Sequence, residues 1–191
     1  MYNLVVFASG NGSTLQAIID SINKGELKAT INLVVSDNPK AFALERAKSN
    51  NIPTYIIESS DFTRRDLELS NILSKYQIDL IVLAGFLKMI GPKLLQKYTI
   101  INTHPSLLPK FGGKGMHGMH VHEAVVAAKE KFSGPTVHFV NQEYDKGAII
   151  SQTKVEVLPT DTAESLSKKV QAAEKIQLIN VLNQFVNNEI N

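Results

Sequence analysis

The sequence of 191 residues contains no cysteine and no long hydrophobic run. The absence of cysteine excludes a disulfide framework and a cysteine-based zinc site. Mean hydropathy is −0.04 and 43% of the residues are hydrophobic, which argues against both a membrane protein and a disordered chain. The N-terminus leads into an apolar strand at residue 3 without a basic segment, so no export signal is expected. We therefore expect a soluble, cytoplasmic protein whose residues 1–191 form one domain.

Acidic residues are absent from residues 80–122, which we call the basic segment. Five lysines lie in it: Lys88, Lys93, Lys97, Lys110 and Lys114. Because the whole chain has a formal charge of +2, the remainder carries about −3. A basic segment of this kind is typical of a solvated face or of a surface that attracts a small anion. Aromatic residues do not interleave with the lysines in an RNA-binding pattern, so nucleic acid is not expected as a partner.

Short apolar runs alternate with helical periods in the first half of the chain. Buried strands are predicted at 3–8, 31–35, 79–84 and 99–103, and helices at 13–23, 40–50 and 62–76. Strands of this kind, alternating with helices, predict a parallel sheet with right-handed crossovers.

The second half of the chain has a different pattern. Residues 105–118 contain two prolines and four glycines and are predicted to form a long loop, which in a compact domain is usually functional. Helices are predicted at 120–129 and 162–187, and two antiparallel strands at 136–140 and 148–157. The predicted class is α/β: an open, mostly parallel, twisted sheet with helices on both faces and an antiparallel C-terminal portion.

A glycine-rich turn, Ser9–Thr14, follows the first predicted strand. It has the spacing Gly-x-Gly without a third glycine, so it is neither a complete dinucleotide fingerprint nor a Walker motif. The alternatives are a plain tight turn and a phosphate site made by the amides of Gly12, Ser13 and Thr14 at the start of a helix.

Two polar side chains lie at the end of a predicted parallel strand, where open α/β sheets bind ligands. Asn102 and His104 point to the same face because strand side chains alternate. An amide can donate to a developing oxyanion, and an imidazole can move protons near neutral pH. Asp145, in a later turn, becomes a candidate partner if the fold brings it to His104, because a carboxylate orients an imidazole and raises its basicity. The alternative is that both strand-end residues are structural.

Three further histidines, His117, His120 and His122, are close in sequence. Glu123 is the one carboxylate with suitable spacing nearby, so no metal site is expected there. We interpret His120 or His122 as contacts at the start of a helix or in a loop.

Several motifs together resemble the phosphoribosylglycinamide formyltransferase family, the folate-dependent transformylases of purine synthesis. The resemblance covers almost the whole chain. It rests on residues 9–13 (SGNGS), 83–86 (LAGF), 102–109 (NTHPSLLP), 137–140 (VHFV) and 145–147 (DKG).

The resemblance implies a Rossmann-like formyltransferase fold whose two halves have different functions. Its N-terminal half is expected to bind the ribonucleotide phosphate, and its C-terminal half to bind folate and carry catalysis. Formyl transfer from 10-formyltetrahydrofolate, as cosubstrate, to the amine of 5-phosphoribosylglycinamide is the implied reaction, without a metal. The partners expected are these two small molecules, with no membrane, in a monomer or homodimer.

The same resemblance assigns roles to individual residues. The implied catalytic residues are Asn102, His104 and Asp145. The implied ribonucleotide ligands are Gly12, Ser13, Thr14 and Glu174. The implied folate contacts are Arg65 (or its neighbour Arg64), Leu87, Lys88, Met89, Ile90 and Asn102. Thr14 stands where the family often has Asn, and Lys88 where Arg is frequent.

Other functions remain open from the sequence. Methionyl-tRNA formyltransferase, sugar formyltransferases and formyltetrahydrofolate deformylase resemble this chain around His104, but the phosphate turn favours a phosphorylated substrate. A nucleotide-binding oxidoreductase and a catalytically inactive folate- or phosphate-binding protein are alternatives from other classes. The missing third glycine argues against the first, and the intact catalytic residues argue against the second.

Overall fold

The computed structural model describes residues 1–190 as nine strands and six helices. The strands are β1 (Tyr2–Phe7), β2 (Ala29–Ser36), β3 (Thr54–Ile56), β4 (Leu80–Leu83), β5 (Ile100–His104), β6 (Phe132–Ser133), β7 (Thr136–Phe139), β8 (Ile149–Gln152) and β9 (Val155–Glu156). The helices are α1 (Ser13–Asn23), α2 (Phe42–Ser49), α3 (Phe62–Leu73), α4 (Pro92–Lys97), α5 (Met119–Ala127) and α6 (Ala163–Val186).

Seven of the strands form one open sheet in the order β3-β2-β1-β4-β5-β7-β8. Strands β1 to β5 are parallel, whereas β7 and β8 pair antiparallel, β7 directly beside β5. The strand order reverses between β1 and β4, and such a switch point opens a crevice at the carboxyl ends of the strands. This is the predicted Rossmann-like class, and the antiparallel C-terminal portion is also confirmed.

Helices cover both faces of the sheet, and each face has its own hydrophobic cluster. Leu4 and Val6 of β1 face α1, α2 and α6, whereas Val5 and Phe7 face α3 and α4. Strand side chains alternate between the faces, so a strand covered on both sides must be apolar throughout. That is why β1 and β4 read as continuous apolar runs. Among residues 1–190, no helix has the length and apolar character needed to cross a bilayer.

The predicted strand at 148–157 is wrong as a single element. The structure divides it into β8, which pairs with β7, and β9, which pairs with β6 in a separate two-stranded sheet. Both pieces are extended and partly exposed, so the sequence pattern carries no sign of the change of partner. The long helix α6 begins where predicted, because the side chains and backbone N–H groups of Thr162 and Ser165 form a reciprocal capping box.

Candidate active site

A cavity of about 710 Å³ opens at the carboxyl ends of β1, β4 and β5. Its wall is formed by residues 10–14, 83–90, 102–105, 113–119, 140–141 and 143–145, together with side chains of α5, β7 and α6. The volume lies within the roughly 300–1,000 Å³ typical of small-molecule sites. Residues predicted from distant parts of the sequence therefore meet in one cavity. They are Gly12, Ser13, Thr14, Asn102, His104, Asp145 and Glu174.

The His104 imidazole lies beside the Asp145 carboxylate. His104 ends β5, Asp145 lies in the turn between β7 and β8, and Nδ1 is 3.4 Å from Oδ2. The backbone of Asp145 is left-handed, with φ of 56°, a conformation that Asp tolerates better than most residues. The Gly113 N–H donates to the same Oδ2 at 2.8 Å, so the carboxylate also anchors the glycine-rich loop.

Burial sets the protonation of this pair. It lowers the pKa of His104, and the opposing effects of the Asp145 carboxylate and the Phe111 carbonyl do not restore it. Because that carbonyl, 2.8 Å from Nε2, can only accept, the neutral imidazole carries its proton on Nε2. A second proton would enter on Nδ1, opposite Asp145. Burial alone would raise the pKa of Asp145, but the nearby His104 and the Gly113 N–H, which donates to its carboxylate, hold it below its usual value.

A second histidine, His138, orients the Asn102 amide. It is Asn102's partner across the β5–β7 pairing, and Nδ2 of Asn102 lies 3.1 Å from Nε2 of His138. Nδ1 of His138 lies 2.8 Å from the Phe139 carbonyl, which can only accept, so Nε2 is free to accept from the amide. The same Nε2 is 3.6 Å from Oδ1 of Asp145. Sequence reasoning missed His138, although a histidine inside a buried strand opposite Asn102 was the available signal.

The glycine-rich turn presents the N-terminus of α1 to the cavity. Gly12 caps the helix with a left-handed backbone (φ 74°) and without a side-chain cap. The amides of Ser13 and Thr14 have no acceptor one turn back in the helix, and the helix dipole adds partial positive charge. A Cβ atom on Gly12 would lie 2.7 Å from Ala43, so glycine is required by packing against α2 as well as by the backbone angle.

Glu174 closes this end of the cavity from α6. Its Oε1 accepts from the Thr14 hydroxyl at 2.8 Å, and the residue is 9% exposed. Burial raises the pKa of Glu174, against the opposing effect of that hydrogen bond. The turn and the carboxylate together offer amide donors for an anion and an acceptor for hydroxyl groups.

The predicted folate segment, Leu87 to Ile90, lines the cavity, but the predicted arginine does not. Arg65 is 7% exposed, and its guanidinium donates to the carbonyls of Ser60 at 3.1 Å and Met89 at 3.4 Å. Arg65 therefore supports the segment from behind. Arg64 is exposed on α3 and is also absent from the wall.

The basic segment does not form a single surface. Lys88 and Lys114 line the cavity, whereas Lys93 and Lys97 lie on α4 outside it. Nζ of Lys88 is 3.9 Å from Oδ2 of Asp37, which offsets part of its charge.

The loop histidines separate in the structure. Within residues 1–190, no group of three or more His, Asp or Glu side chains is arranged to hold a metal ion. His120 lies in the first turn of α5, with Nδ1 3.4 Å from Glu123. His122 is buried on the cavity wall, and its Nδ1 has no hydrogen-bond partner among the described residues. Burial and the nearby His104 lower the pKa of His122.

Comparison with known proteins gives consistent matches over most of the chain. A family model described as "Formyl transferase" matches residues 2–182. The chain is 41% identical over 173 residues to the chloroplastic phosphoribosylglycinamide formyltransferase of Arabidopsis thaliana, covering 87% of this chain and 59% of that protein. It therefore spans less than two thirds of this plant relative. It is 39% identical over 177 residues to the phosphoribosylglycinamide formyltransferase of Escherichia coli K12, covering 90% and 81% of the two chains.

Solved structures give the same result. The phosphoribosylglycinamide formyltransferase of Bacillus halodurans superposes with a TM-score of 0.90 at 34% identity, covering 99% of this chain and 97% of that one. The enzyme of that name from Coxiella burnetii, solved with CHES, has a TM-score of 0.90 at 39% identity, with coverage of 98% and 88%.

Proposed function

Because the chain belongs to the formyl transferase family, we propose that it transfers the formyl group of 10-formyltetrahydrofolate to the amine of 5-phosphoribosylglycinamide, a step of purine biosynthesis. The observation that carries the proposal is the common cavity, which joins an anion site at a helix N-terminus to an amide, an imidazole and a carboxylate. The whole chain acts as one catalytic domain. Its N-terminal half holds the ribonucleotide phosphate, and its C-terminal half carries catalysis.

The phosphate of the ribonucleotide binds at the α1 N-terminus, to the amides of Gly12, Ser13 and Thr14. A helix N-terminus binds an anion without a charged side chain, because several amides and the helix dipole share the charge. Glu174 accepts from a ribose hydroxyl, and the Thr14 hydroxyl keeps the carboxylate in place. The glycinamide amine then extends toward Asn102 and His104.

The formyl donor lies along Leu87 to Ile90. Leu87 is 48% exposed at the wall and offers an apolar surface for a flat ring. Arg65 contributes by holding the Met89 carbonyl, which fixes the backbone of this segment. When bound, the donor supplies an activated formyl group whose carbonyl carbon the amine attacks.

The protein residues stabilise the charge that this attack creates. One N–H of the Asn102 amide is held by His138, so the other is oriented toward the developing oxyanion. The oxyanion takes the place of the Phe111 carbonyl at the Nε2–H of His104. Asp145 stabilises the imidazolium as Nδ1 gains a proton.

Proton transfer completes the reaction. The attacking nitrogen loses one proton and the leaving folate nitrogen gains one, so no net proton is consumed between them. His104 and Asp145 carry this transfer, with a water where the two nitrogens are too far apart. Much of the acceleration comes from holding two large substrates in one cavity.

An absorbance assay tests the proposed function. Purified protein should convert a 10-formyl folate to the deformylated folate when phosphoribosylglycinamide is added, and not before. Formate release without the amine would instead identify a deformylase, and the same rate with an unphosphorylated amino sugar would identify another N-formyltransferase. Inorganic phosphate should compete with the ribonucleotide and not with the folate, and the opposite pattern would reject the α1 N-terminus as the phosphate site.

A further inference from the structure

A second cavity of about 570 Å³ shares no wall residue with the first. Its wall is formed by residues 107–111, the end of α5, residues 128–133 and Lys154. The volume is again within the roughly 300–1,000 Å³ of small-molecule sites. None of the predicted site residues lies on it, so the proposed reaction does not account for it.

The wall of this second cavity carries excess positive charge. Lys129, Lys131 and Lys154 line it, and none has an acidic side chain within salt-bridge distance in the described part of the chain. Lys110 also lines it but is neutralised by Glu130, at 2.7 Å. A concave surface with three uncompensated cations attracts an anion, because the low-dielectric wall concentrates the field.

The rest of the wall is apolar, with one unsatisfied polar atom. Leu108 and Val125 are buried, while the Phe132 ring is 50% exposed and has Nζ of Lys154 6.0 Å from its centroid. Ser133 is also on the wall, and its hydroxyl is buried without a hydrogen-bond partner among residues 1–190.

The wall segment 107–111 is also the segment that contacts the catalytic imidazole. The Phe111 carbonyl lies 2.8 Å from Nε2 of His104, and the Lys110 carbonyl accepts from the Ser106 hydroxyl at 2.6 Å. A molecule seated against Phe111 therefore touches the residue whose carbonyl fixes the His104 proton.

We propose that this second cavity binds a small organic anion with a flat apolar ring, and that its occupant acts on His104 through Phe111. The lysines bind the anionic group, and Phe132 stacks on the ring. The site is an effector site and lies outside the proposed substrate cavity.

Fluorescence titration with anilinonaphthalene sulfonate, an anion with a flat apolar ring, tests the binding. The test variant is Lys129→Glu/Lys131→Glu, and the matched control is Lys93→Glu/Lys97→Glu, which makes the same charge change on α4. Wild type and control should bind the probe equally, and the test variant roughly tenfold more weakly or worse. Equal affinity of the two variants for the probe would show that the second cavity is not the binding site. Adenosine monophosphate should displace the probe better than inorganic phosphate does. If the two displace it equally well, the proposal that the ligand carries a flat apolar ring is wrong.

NMR locates the probe and tests its action on His104. The probe should shift the amide resonances of Val125, Phe132 and Ser133 and the ring resonance of His104, and the shifts should disappear in the test variant. Probe binding that moves the three amides but leaves His104 unchanged overturns the effector role. These readouts need no substrate, so they are independent of the proposed formyl transfer.

Discussion

At the scale of single residues, His104 has a neighbour at each ring nitrogen. The Phe111 carbonyl fixes one proton on Nε2, and Asp145 lies beside Nδ1, where a second proton would bind. Burial keeps the free imidazole neutral by lowering its pKa. In the proposed reaction, the positive charge forms when an oxyanion develops beside the ring, so the cation stabilises the transition state rather than the ground state.

His104→Ala and Asp145→Asn should each lower kcat by roughly 100-fold, about 2.7 kcal/mol of transition-state stabilisation, with smaller changes in KM. The double variant should lose far less than the product of the two losses, because the carboxylate acts through the imidazole. Steady-state kinetics of the four proteins measures this. Losses that multiply fully would show that the two residues act independently.

Glu174→Gln should stabilise the protein at neutral pH while weakening ribonucleotide binding. Because burial raises the pKa of Glu174, the folded state favours the protonated side chain. The stabilising contribution of this group is therefore present below pH ~4.5 and is lost as pH rises through the folded-state pKa. Glutamine keeps the acceptor for Thr14 and removes this loss. Thermal unfolding should show a gain in Tm that grows as pH rises above about 4.5. A gain independent of pH would contradict the carboxylate explanation.

At the scale of elements, the turn between β1 and α1 is confined by α2. Gly12→Ala should lower Tm and weaken ribonucleotide binding, because the added Cβ meets Ala43 at 2.7 Å and the backbone is left-handed. Gly10→Ala is the matched control, since nothing lies within 4 Å of its Cβ position and its φ is not positive. Calorimetry and ribonucleotide titration compare them. Equal effects of both substitutions would reject the packing argument.

The sequence predicted the elements that have strong periodicity. Helix α1 has the predicted bounds, and β1 and β4 were recognised because burial on both faces requires an uninterrupted apolar run. The short elements β3, with three residues, and α4, with six, gave no period long enough to detect. Tertiary pairing, which no local pattern encodes, divides β8 from β9.

The candidate site was predictable in part for the same reason. Asn102 and His104 follow from strand alternation, but their meeting with Asp145 depends on the β5–β7 pairing. His138 was missed because its importance comes from cross-strand register with Asn102. Arg65 was assigned through a resemblance, and its burial behind Met89 depends on how α3 packs.

At the scale of the whole molecule, two buried histidines make the fold sensitive to acid. Burial lowers the pKa of both His104 and His122 from 6.5, so the folded state binds fewer protons than the unfolded state. Their contribution to stability is present above pH 6.5 and is lost as pH falls through the folded pKa values. The pKa of Asp145 lies below its usual 3.8, so the stabilising contribution of this carboxylate is lost at still lower pH.

His122→Gln should therefore reduce the fall in Tm between about pH 7.5 and 5.5, because one of the two titrating groups is removed. Scanning calorimetry across this range gives the slope for wild type and variant. His120→Gln is the control, since His120 is exposed in the same turn of α5. The same slope in all three proteins would show that His122 does not contribute to the acid sensitivity.

The hydrogen bond from Thr14 to Glu174 joins residues 160 positions apart. During synthesis on the ribosome, the glycine-rich turn emerges early, whereas the Glu174 carboxylate emerges only after the sheet has been translated. On the proposed assignment, a nascent chain that ends before residue 174 has one half of the ribonucleotide site and cannot hold the ribose. Tight ribonucleotide binding would consequently require a chain released from the ribosome, in which α6 has packed against the sheet.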